Sequence, residues 1–398
     1  MDAECAVVGG GPAGLTAAIA LASCGIETVL VAKAVNLADP RTTALLHGSV
    51  NALAALDVWE HCRPHAAPLR AIRMVDDTGR LVRAPEILFE ASEIGLEEFG
   101  HNVENRFLLA ALERRAHALP LLMWTVDEAA ALDICDRSTT VTLKTGSTVT
   151  CRLVVAADGQ RSLCRRAAAI RTNWRSYAQT ALTFNLCHSR PHGDTSTELH
   201  TPTGPFTLVP LPGRRSSLVF VVHPDDASGI AALSPNLLAQ EIERRSHSLL
   251  GKTDVEPARG SFPLEVRTAA RFGAQRMVLV GEAAHTLPPI GAQGLNLGLR
   301  DAAAICELVV STHRKGCDVG TSEVTERYDR MRRADIGSRT LAVDLLNRSL
   351  LSDLLPVQAA RALGLLSMHR IPPLRRAAMH EGMEPRFGQP RLMRGEPL

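Results

Sequence analysis

A glycine-rich turn near the N-terminus constrains the fold of this chain more than any other feature of its sequence. The turn Gly9–Gly14 has the G-x-G-x-x-G spacing, and it lies between a buried strand predicted over 3–8 and a helix predicted over 12–23. A second strand is predicted over 28–31. Because a helix of this length returns the chain beside its first strand, these elements predict a βαβ unit in a parallel sheet.

The turn itself predicts a dinucleotide-binding site. Gly9 permits the tight turn, Gly11 lets backbone N–H groups approach a pyrophosphate at the helix N-terminus, and Gly14 lets the helix pack closely on its strand. Pro12 and Ala13 lie in the same turn, and we assign them to the cofactor site with the glycines. A turn that only joins a strand to a helix is the alternative, but the βαβ context favours the nucleotide.

One part of the dinucleotide fingerprint is missing. An acidic residue that binds a ribose hydroxyl is expected at the end of the second strand, but Ala32 stands there, with Lys33 after it. Glu27 comes too early in the strand to take that role. The ribose contact is therefore predicted to be weak, and nucleotide affinity must come from other parts of the chain.

Composition excludes several classes of protein. The chain has 398 residues, of which 45% are hydrophobic and 22% charged, as is typical of a globular protein with a substantial core. Its formal net charge of +2 supplies no sequence-wide reason to bind nucleic acid. The nine cysteines are scattered without a Cys-x-x-Cys pair, which indicates reduced thiols in a cytoplasmic protein.

The sequence predicts neither a transmembrane helix nor a metal site. The most apolar long window, 15–32, is interrupted by a glycine and a glutamate, so we predict no transmembrane helix. His61, Cys62 and His65 form the nearest approach to a metal site, but a second ligand pair is lacking, so we predict no metal.

The remaining patterns predict an α/β protein: a Rossmann-like nucleotide-binding domain with an inserted β-sheet domain and a helical C-terminal region. Strand-like runs occur over 141–156, 206–222 and 277–280, and helical periodicity over 291–310. The predicted boundaries are 1–68, 99–170 and 272–320 for the nucleotide-binding domain, 69–98 and 171–271 for the inserted substrate domain, 321–382 for the C-terminal helices, and 383–398 for a loose tail.

Two later motifs follow the glycine turn in order along the chain. They are Asp158-Gly159-x-x-Ser162-x-x-Arg165, and Gly281-Glu-Ala-Ala-His285 followed by Pro289-Ile-Gly-Ala-Gln-Gly-Leu-Asn-Leu-Gly298. With these three motifs the chain resembles the single-component flavin aromatic hydroxylases, the para-hydroxybenzoate hydroxylase type of FAD monooxygenase. Within that group it is similar to the ubiquinone-biosynthesis hydroxylases over nearly its whole length, including 39–45, 204–211 and 345–350.

The resemblance implies an FAD site with several anchors outside the glycine turn. Arg41 matches a family arginine near the flavin, and Asn105 stands where the wider superfamily often has Arg. Asp158 belongs to a motif implicated in flavin and nicotinamide contacts, although a strand-terminal Asp-Gly is also an ordinary turn signal. Glu282 matches the ribityl site, where the family usually has Asp.

The end of the third motif implies a site for the flavin ring. After Pro289, the turn Gly294, Leu295 and Asn296 is expected to lead into a helix whose N-terminal N–H groups and dipole face the flavin pyrimidine edge. His285 belongs to the same motif, and a buried hydrogen-bonded histidine is favoured over a general base. No catalytic side chain is predicted.

The resemblance implies hydroxylation of a lipophilic, polyprenylated phenol or quinol by O₂ through a flavin C4a-hydroperoxide, on the path to ubiquinone and in association with other enzymes of that path. NADPH, NADH or an external reductase would reduce the flavin. A soluble phenol hydroxylase or an epoxidase on the same scaffold is one alternative, and a flavin-binding protein without turnover is another.

Leucines and arginines of the C-terminal region leave two interpretations open. They indicate either helices packed on the flavin domain or peripheral contact with the inner face of a membrane. The residues concerned are Leu350, Leu351, Leu354, Leu355, Leu365, Leu366, Arg361, Arg370, Arg375 and Arg376.

Overall fold

The computed structural model describes residues 1–80, 83–352, 354–383 and 388–398. Its strands are β1 Asp2–Val8, β2 Thr28–Ala32, β3 Thr42–Leu46, β4 Ala66–Pro68, β5 Ala71–Asp76, β6 Ile87–Glu90, β7 Gly100–Glu104, β8 Leu122–Val126, β9 Ala129–Ile134, β10 Thr139–Leu143, β11 Thr148–Ala156, β12 Thr172–His188, β13 Thr195–Thr201, β14 Gly204–Leu211, β15 Arg215–Val222, β16 Thr253–Ala269, β17 Gly273–Ala274, β18 Met277–Leu279 and β19 His285–Thr286.

The helices are α1 Pro12–Ser23, α2 His47–Ala55, α3 Trp59–Cys62, α4 Asn105–His117, α5 Leu163–Ala167, α6 Pro224–Ala231, α7 Pro235–Arg245, α8 Gln293–His313, α9 Ser322–Leu351, α10 Leu355–Arg370 and α11 Pro372–Met383. Short 3-10 turns lie at Arg63–His65, Ala91–Ile94, Gly281–Ala283 and Arg391–Arg394.

The predicted βαβ unit forms the centre of a parallel sheet. Strand β1 lies between β2 and β11, and the sheet continues to β8 on one side and to β18 and β17 on the other. Helices α1 and α8 pack against each other over this sheet. Because helices cover the strands, β1 and β2 read as nearly continuous buried apolar runs.

The predicted strand-like run 141–156 is an antiparallel hairpin of β10 and β11. The turn between the two strands includes Gly146, which has a φ of +88° that favours glycine. The β pattern is therefore confirmed, and the structure divides it into two strands at this turn.

The inserted sheet has the order β19-β16-β12-β15-β14-β13-β5-β6. One face packs Phe206, Leu208, Leu218 and Phe220 against Leu238 of α7 in a separate hydrophobic core. The opposite face, with Thr207 and Val209 on β14, is directed at the third-motif turn. A small third sheet, β3-β7-β4, lies beside the inserted sheet, and the Asn102 amide of β7 donates to Pro210 O of β14.

Prolines lie in the first turns of α10 and α11, where their fixed φ suits the start of a helix. Helix α9 packs on α8, and Asn347 of α9 donates to the Gln179 side chain of β12 at 2.9 Å. Arg361 of α10 pairs with Asp76 of β5 at 2.8 Å. Within the described ranges, no helix combines the length and the apolar character that crossing a bilayer requires.

The C-terminal segment is not a loose tail where the structure describes it. The turn Arg391–Arg394 packs on α2, and Leu392 and Met393 are only 1% and 2% exposed. Residues 384–387 of the predicted tail lie outside the described residues. The glycines and prolines that suggested a loose tail flank a turn whose apolar side chains reach the main core.

Candidate active site

The glycine turn joins β1 to α1 and leaves no room for side chains at two of its positions. A Cβ on Gly9, whose φ is +115°, would lie 2.2 Å from the Ala157 oxygen, and a Cβ on Gly14 would lie 2.1 Å from the Gly9 oxygen. At Gly11, by contrast, no atom of the described part of the chain lies within 4 Å of the Cβ position. The backbone at the start of α1 is therefore open to a cavity, as phosphate binding at a helix N-terminus requires.

A cavity of about 570 Å³, which we call the turn cavity, runs from the glycine turn past the end of β2. Ala32 ends β2 without an acceptor, while Asp127 and Glu128 line the same cavity just after β8, the parallel neighbour of β2. Lys144 and Lys33 lower the pKa of Glu128. Sequence analysis missed these two acids, although their place directly after a strand was an available signal.

Arg41, Asp39 and Asn105 form one hydrogen-bonded group at the inner end of the turn cavity. The Arg41 guanidinium donates to both carboxylate oxygens of Asp39, the closest contact being 2.7 Å, and the Asn105 amide donates to Asp39 at 3.1 Å. Burial opposes ionisation of Asp39, but the Arg41 hydrogen bonds hold its pKa below the usual value. The structure thus brings the predicted residues Arg41 and Asn105 together through Asp39.

Asp158 follows β11 and lines the turn cavity. Its Oδ2 accepts a hydrogen bond from Cys164 N at 3.0 Å, whereas its Oδ1 is buried without a partner among the described residues. Arg165 is buried and donates to Ala283 O and Gln160 O, each at 2.7 Å. The second motif is therefore tied to the third by Arg165, and Asp158 keeps one oxygen free for a donor from a ligand.

The third motif forms the tight turn Gly281–Ala283 after β18. Gly281 has a φ of +61°, and a Cβ on Gly298 of α8 would lie 3.1 Å from its Cα, so glycines allow the turn and α8 to touch. Ala13 of α1 lies at the same contact, 3.3 Å from a Cβ placed on Gly281. Glu282 is exposed at this turn, and its charge adds to the effect of the Arg41–Asp39 hydrogen bond in raising the pKa of Arg41.

Helix α8 begins at Gln293, directly after two residues with left-handed backbone, Gly291 and Ala292. Gly294, Leu295 and Asn296 therefore lie in its first turn and not in the preceding loop, which corrects the predicted start of the helix. The left-handed pair reverses the chain, so the helix starts at Gln293, before the residues 294–296 that were predicted as the turn leading into it.

The first turn of α8 contributes accessible backbone to the candidate site, and its Asn296 side chain is already hydrogen-bonded within the protein. A Cβ on Gly294 would meet no atom within 4 Å, so backbone there is accessible. The Asn296 amide donates to Ala44 O at 2.8 Å and accepts from Leu46 N at 2.9 Å. Its side chain thus holds α8 to β3, and any contact of Asn296 with a cofactor would come from its backbone.

A buried network of charged side chains, which the sequence analysis missed, supports this region. Asp301 of α8 accepts hydrogen bonds from Gly281 N at 3.0 Å, His285 Nε2 at 2.7 Å and Arg332 Nε at 2.6 Å. Burial opposes its ionisation, but the Arg332 charge lowers the pKa of Asp301. His285 is therefore the buried, hydrogen-bonded histidine that was predicted.

The network extends along α9 to the start of α8 and the end of α11. Asp335 accepts hydrogen bonds from Arg332, Arg300 and Arg339. Arg339 also donates to Gln293 Oε1 at 2.9 Å and to Glu381 O at 3.1 Å. The spacing of Arg332, Asp335 and Arg339 along one helix face was the signal that could have revealed it.

A cavity of about 580 Å³, which we call the central cavity, lies between the first turn of α8 and the inserted sheet. The strands within 206–222 supply one wall, through Thr207, Val209, Ser217 and Val219. The facing wall includes Pro12, Arg41, Thr43, Ala44, Asn105, Glu282, Leu287, Pro288, Pro289, Gly291, Gly294 and Leu295. The structure thus places most of the predicted site residues around the turn cavity and the central cavity, which share Pro12, Arg41 and Asn105.

A third cavity of about 410 Å³, the side cavity, shares Arg41, Glu282 and Pro289 with the central cavity. The Arg41 guanidinium lies 5.6 Å from the ring centre of Phe262, which lines the side cavity. Arg41 therefore stands where all three cavities meet.

Comparison with known proteins identifies related chains. Residues 2–336 match the FAD binding domain family. The chain is 35% identical to the ubiquinone hydroxylase UbiL of Rhodospirillum rubrum, covering 100% of this chain and 94% of that protein. It is 31% identical to the 3-demethoxyubiquinol 3-hydroxylase of Escherichia coli, covering 94% and 97%. The crystal structure of p-nitrophenol 4-monooxygenase PnpA from Pseudomonas putida DLL-E4 has a similar fold, with a TM-score of 0.79 at 19% identity over 97% of this chain and 100% of that one.

Proposed function

Because this chain belongs to the FAD binding domain family, and within it to the ubiquinone hydroxylases, we propose that it is an FAD-dependent monooxygenase that hydroxylates the ring of a polyprenylated phenol or quinol on the path to ubiquinone. FAD, when bound, supplies the activation of O₂ and the transfer of one oxygen atom. The protein has to bind the cofactor, orient the substrate ring and exclude water.

The shape and lining of the central cavity carry the proposal for a lipophilic substrate. Its wall on the α8 side is formed by the third motif, and its other end is lined by Leu69, Ile72, Phe99 and Met383. An aromatic ring held near Pro289 would therefore have an apolar wall available for an attached prenyl chain. Burial of prenyl carbons against such side chains is favourable, at about 25 cal/mol per Å² of apolar area.

The residues around the turn cavity fit FAD. The open backbone at Gly11 suits the pyrophosphate, and the unpartnered Oδ1 of Asp158 suits a ligand hydroxyl. We propose that Gly9, Gly11, Pro12, Ala13, Gly14 and Asp158 hold the nucleotide half of the cofactor, and that Arg41, Asn105, Glu282, Pro289, Gly294, Leu295 and Asn296 surround the flavin half.

The electron donor in this proposal is NADPH or NADH. The chain carries a single glycine fingerprint, which the flavin nucleotide would occupy, so the nicotinamide would bind transiently on the same domain. A separate reductase is the alternative donor. Anaerobic mixing of the FAD-loaded protein with NADPH or NADH decides between them, since bleaching of the flavin absorbance within the turnover time requires a direct donor.

Peripheral contact with a membrane is also part of the proposal, together with association with other enzymes of the same path. Leu354, Leu355 and Leu363 are 67%, 58% and 62% exposed on the C-terminal helices. Arg370 and Arg376 lie exposed near them in the chain. Exposed leucines with neighbouring arginines are typical of helices that rest on an anionic membrane surface.

The decisive experiment uses the purified FAD-loaded protein, the electron donor and ¹⁸O₂. Phenols that carry zero, one, two or three prenyl units are supplied in detergent, and the mass of each product is measured. We expect one ¹⁸O atom per ring, and we expect kcat/KM to rise with chain length. Equal or falling kcat/KM with longer chains would favour the soluble phenol hydroxylase, and oxygen added to an alkene would favour the epoxidase.

The same proposal can be tested in the host cell. Deletion of the gene is expected to cause accumulation of a quinone precursor that lacks one ring oxygen, and complementation is expected to remove it. Unchanged ubiquinone without a precursor, in a host that has no second hydroxylase, would contradict the proposal.

A further inference from the structure

An acidic side chain, Glu198 of β13, faces the central cavity from the inserted sheet. Its register partner on β14 is Thr207, which lines the same cavity. Side chains paired directly across two antiparallel strands have Cβ atoms about 5 Å apart. Glu198 and Thr207 therefore present one carboxylate and one hydroxyl side by side to whatever the cavity holds.

The carboxylate is oriented by a buried histidine. His200 Nε2 lies 2.7 Å from Glu198 Oε1, and the His200 side chain is only 1% exposed. In the described part of the chain, Oε2 of Glu198 has no hydrogen bond and no Lys or Arg lies within 4.0 Å of the carboxylate. This distinguishes Glu198 from Glu104, which is paired with Arg106 and Arg215.

Thr207 supplies the hydroxyl that lies beside the Glu198 carboxylate. Its Oγ1 is buried and has no hydrogen-bond partner among the residues that the structure describes. Buried hydroxyls without partners are uncommon in native proteins and call for an explanation, such as a ligand that completes the bond. A ligand hydroxyl placed between the two side chains would satisfy both, because it can donate to Glu198 Oε2 and accept from Thr207 Oγ1.

We propose that Glu198 and Thr207 bind the ring hydroxyl of the substrate and that Glu198 is the base that activates it; this rests on the proposed function. The hydroxyl O–H bond breaks, its proton moves to Glu198 Oε2, and its electron pair stays on the ring oxygen and enriches the ring carbons. After oxygen transfer, the proton on Glu198 returns to the original ring oxygen and the proton lost by the attacked carbon passes to solvent, so Glu198 ends as a carboxylate. His200 is a positioning residue that holds the carboxylate in place.

Ligand binding tests the subsite without turnover. The probes are a phenol with one prenyl unit and its methyl ether, titrated into the oxidised FAD-loaded protein in the absence of an electron donor. The wild type is expected to prefer the phenol by about tenfold, since only the phenol can donate to a carboxylate. Glu198→Gln should reduce this preference to about twofold or less, whereas Thr207→Val should weaken both ligands by a similar factor.

Turnover tests the role of Glu198 as a base. In Glu198→Gln, kcat for hydroxylation should fall by about a hundredfold, as is typical of losing a general base, while KM rises by no more than about fivefold, the factor by which phenol binding weakens. Reduction of the flavin by the donor should stay within about twofold of the wild type, so oxygen consumption would yield hydrogen peroxide instead of product. If the Glu198–His200 pair had a purely structural role, Glu198→Gln would lower the rate of hydroxylation and the rate of flavin reduction together.

Glu97→Gln, an exposed glutamate outside the central cavity, is the matched control and should behave as the wild type. Glu198→Asp keeps the charge but shortens the side chain. If Glu198→Gln fails to retain FAD, Glu198→Asp replaces it in both tests and should show the same loss of phenol preference and of hydroxylation. A wild-type phenol preference and wild-type coupling in these variants would overturn the inference. A wild type that prefers the phenol but hydroxylates no ring would support the subsite and defeat the proposed function.

Discussion

Single residues in the glycine turn have different physical roles. Gly9 and Gly14 are required by the protein itself, because side chains there would overlap backbone oxygens at 2.2 and 2.1 Å. Gly11 has an extended backbone that any residue can adopt, and the space around its Cβ position is empty of protein atoms. A substitution at Gly11 therefore separates loss of the cofactor from loss of the fold.

Gly11→Val is expected to fold normally and to lose FAD, because the valine methyl groups would occupy the path of the pyrophosphate. Bound flavin per protein should fall by at least about tenfold, while the far-UV circular dichroism stays unchanged. Gly229→Val, at an exposed helical position outside the cavities, is the control. Stoichiometric FAD in folded Gly11→Val would contradict this placement of the pyrophosphate.

Ala32→Glu is expected to tighten FAD binding. The substitution places a carboxylate at the end of β2, where it can reach into the turn cavity and accept a ribose hydroxyl. One charge-assisted hydrogen bond is worth about 1.5–3 kcal/mol, so the dissociation constant should fall by roughly tenfold or more. Ala32→Gln, with the same size and no charge, should have a smaller effect, and an unchanged dissociation constant in Ala32→Glu would refute this account of position 32.

At the scale of elements, hydrogen bonds made by charged side chains hold the first three turns of α8 in place. Asp301 joins it to the third-motif turn and to Arg332 of α9, while Arg339 of α9 joins Gln293 at its start to Glu381 at the end of α11. These bonds fix the N-terminus of α8 relative to the glycine turn. Helix α9 thus positions the proposed flavin site, although none of its described residues belongs to that site.

Asp301→Asn is expected to destabilise the protein strongly. It leaves the Arg332 charge buried with one counterion fewer, which typically costs about 3–5 kcal/mol. The apparent melting temperature of the FAD-free protein should fall by roughly 4–6 °C. Glu326→Gln removes an exposed ion pair on α9, the helix that carries Arg332, and should change the melting temperature by less than about 2 °C.

The stabilisation from Asp301 is expected to depend on pH. The pKa of Asp301 is lowered in the folded protein, so its stabilising contribution is complete above the unfolded value near about 3.9 and is lost as the pH falls below it. The difference in melting temperature between the wild type and Asp301→Asn should therefore be constant from about pH 5 to 7 and shrink below about pH 4. A difference that grows on acidification would contradict this sign.

Across the whole molecule, the C-terminal helices turn one face to the core and another to solvent. Leu350 and Leu365 are buried, Arg361 pairs with Asp76, and Arg375 pairs with Glu93. These two leucines and two arginines are therefore not available to contact a membrane. Among the described residues of α9, α10, α11 and the segments between them, the exposed apolar side chains are Met331, Leu341, Leu345, Leu351, Leu354, Leu355, Leu363, Leu366, Ile371 and Leu374. The packed-helix interpretation therefore holds for the buried side chains, and the membrane proposal depends on the exposed ones.

Vesicle flotation tests the exposed set. The wild type is expected to float with liposomes that contain about 30% anionic lipid, because each buried leucine contributes about 1.5–3 kcal/mol. Leu354→Ser, Leu355→Ser and Leu363→Ser combined should leave most of the protein at the bottom of the gradient. Leu237→Ser, on the exposed side of α7, is the control, and a wild type that itself remains at the bottom would end the membrane hypothesis.

The sequence by itself determined the features that depend on neighbouring residues. The glycine spacing, the apolar runs of β1 and β2 and the helix-starting prolines of α10 and α11 all act over a few residues, so their outcome could be predicted. The order of the three motifs along the chain also indicated which segments meet at one site. The missing acceptor at Ala32 was evident in the same way, because strand ends follow from local pattern.

Only the tertiary structure decided which distant side chains meet. Asp301 and Arg332 are 31 residues apart, and nothing local distinguishes them from solvent-exposed charges until α9 packs on α8. Alternation along β13 and β14 predicts two faces, but it does not tell which face meets α7 and which meets the central cavity. Packing of Phe206 and Leu208 under α7 settles that choice, and it turns Glu198 and Thr207 toward the cavity because successive side chains of a strand point to opposite faces.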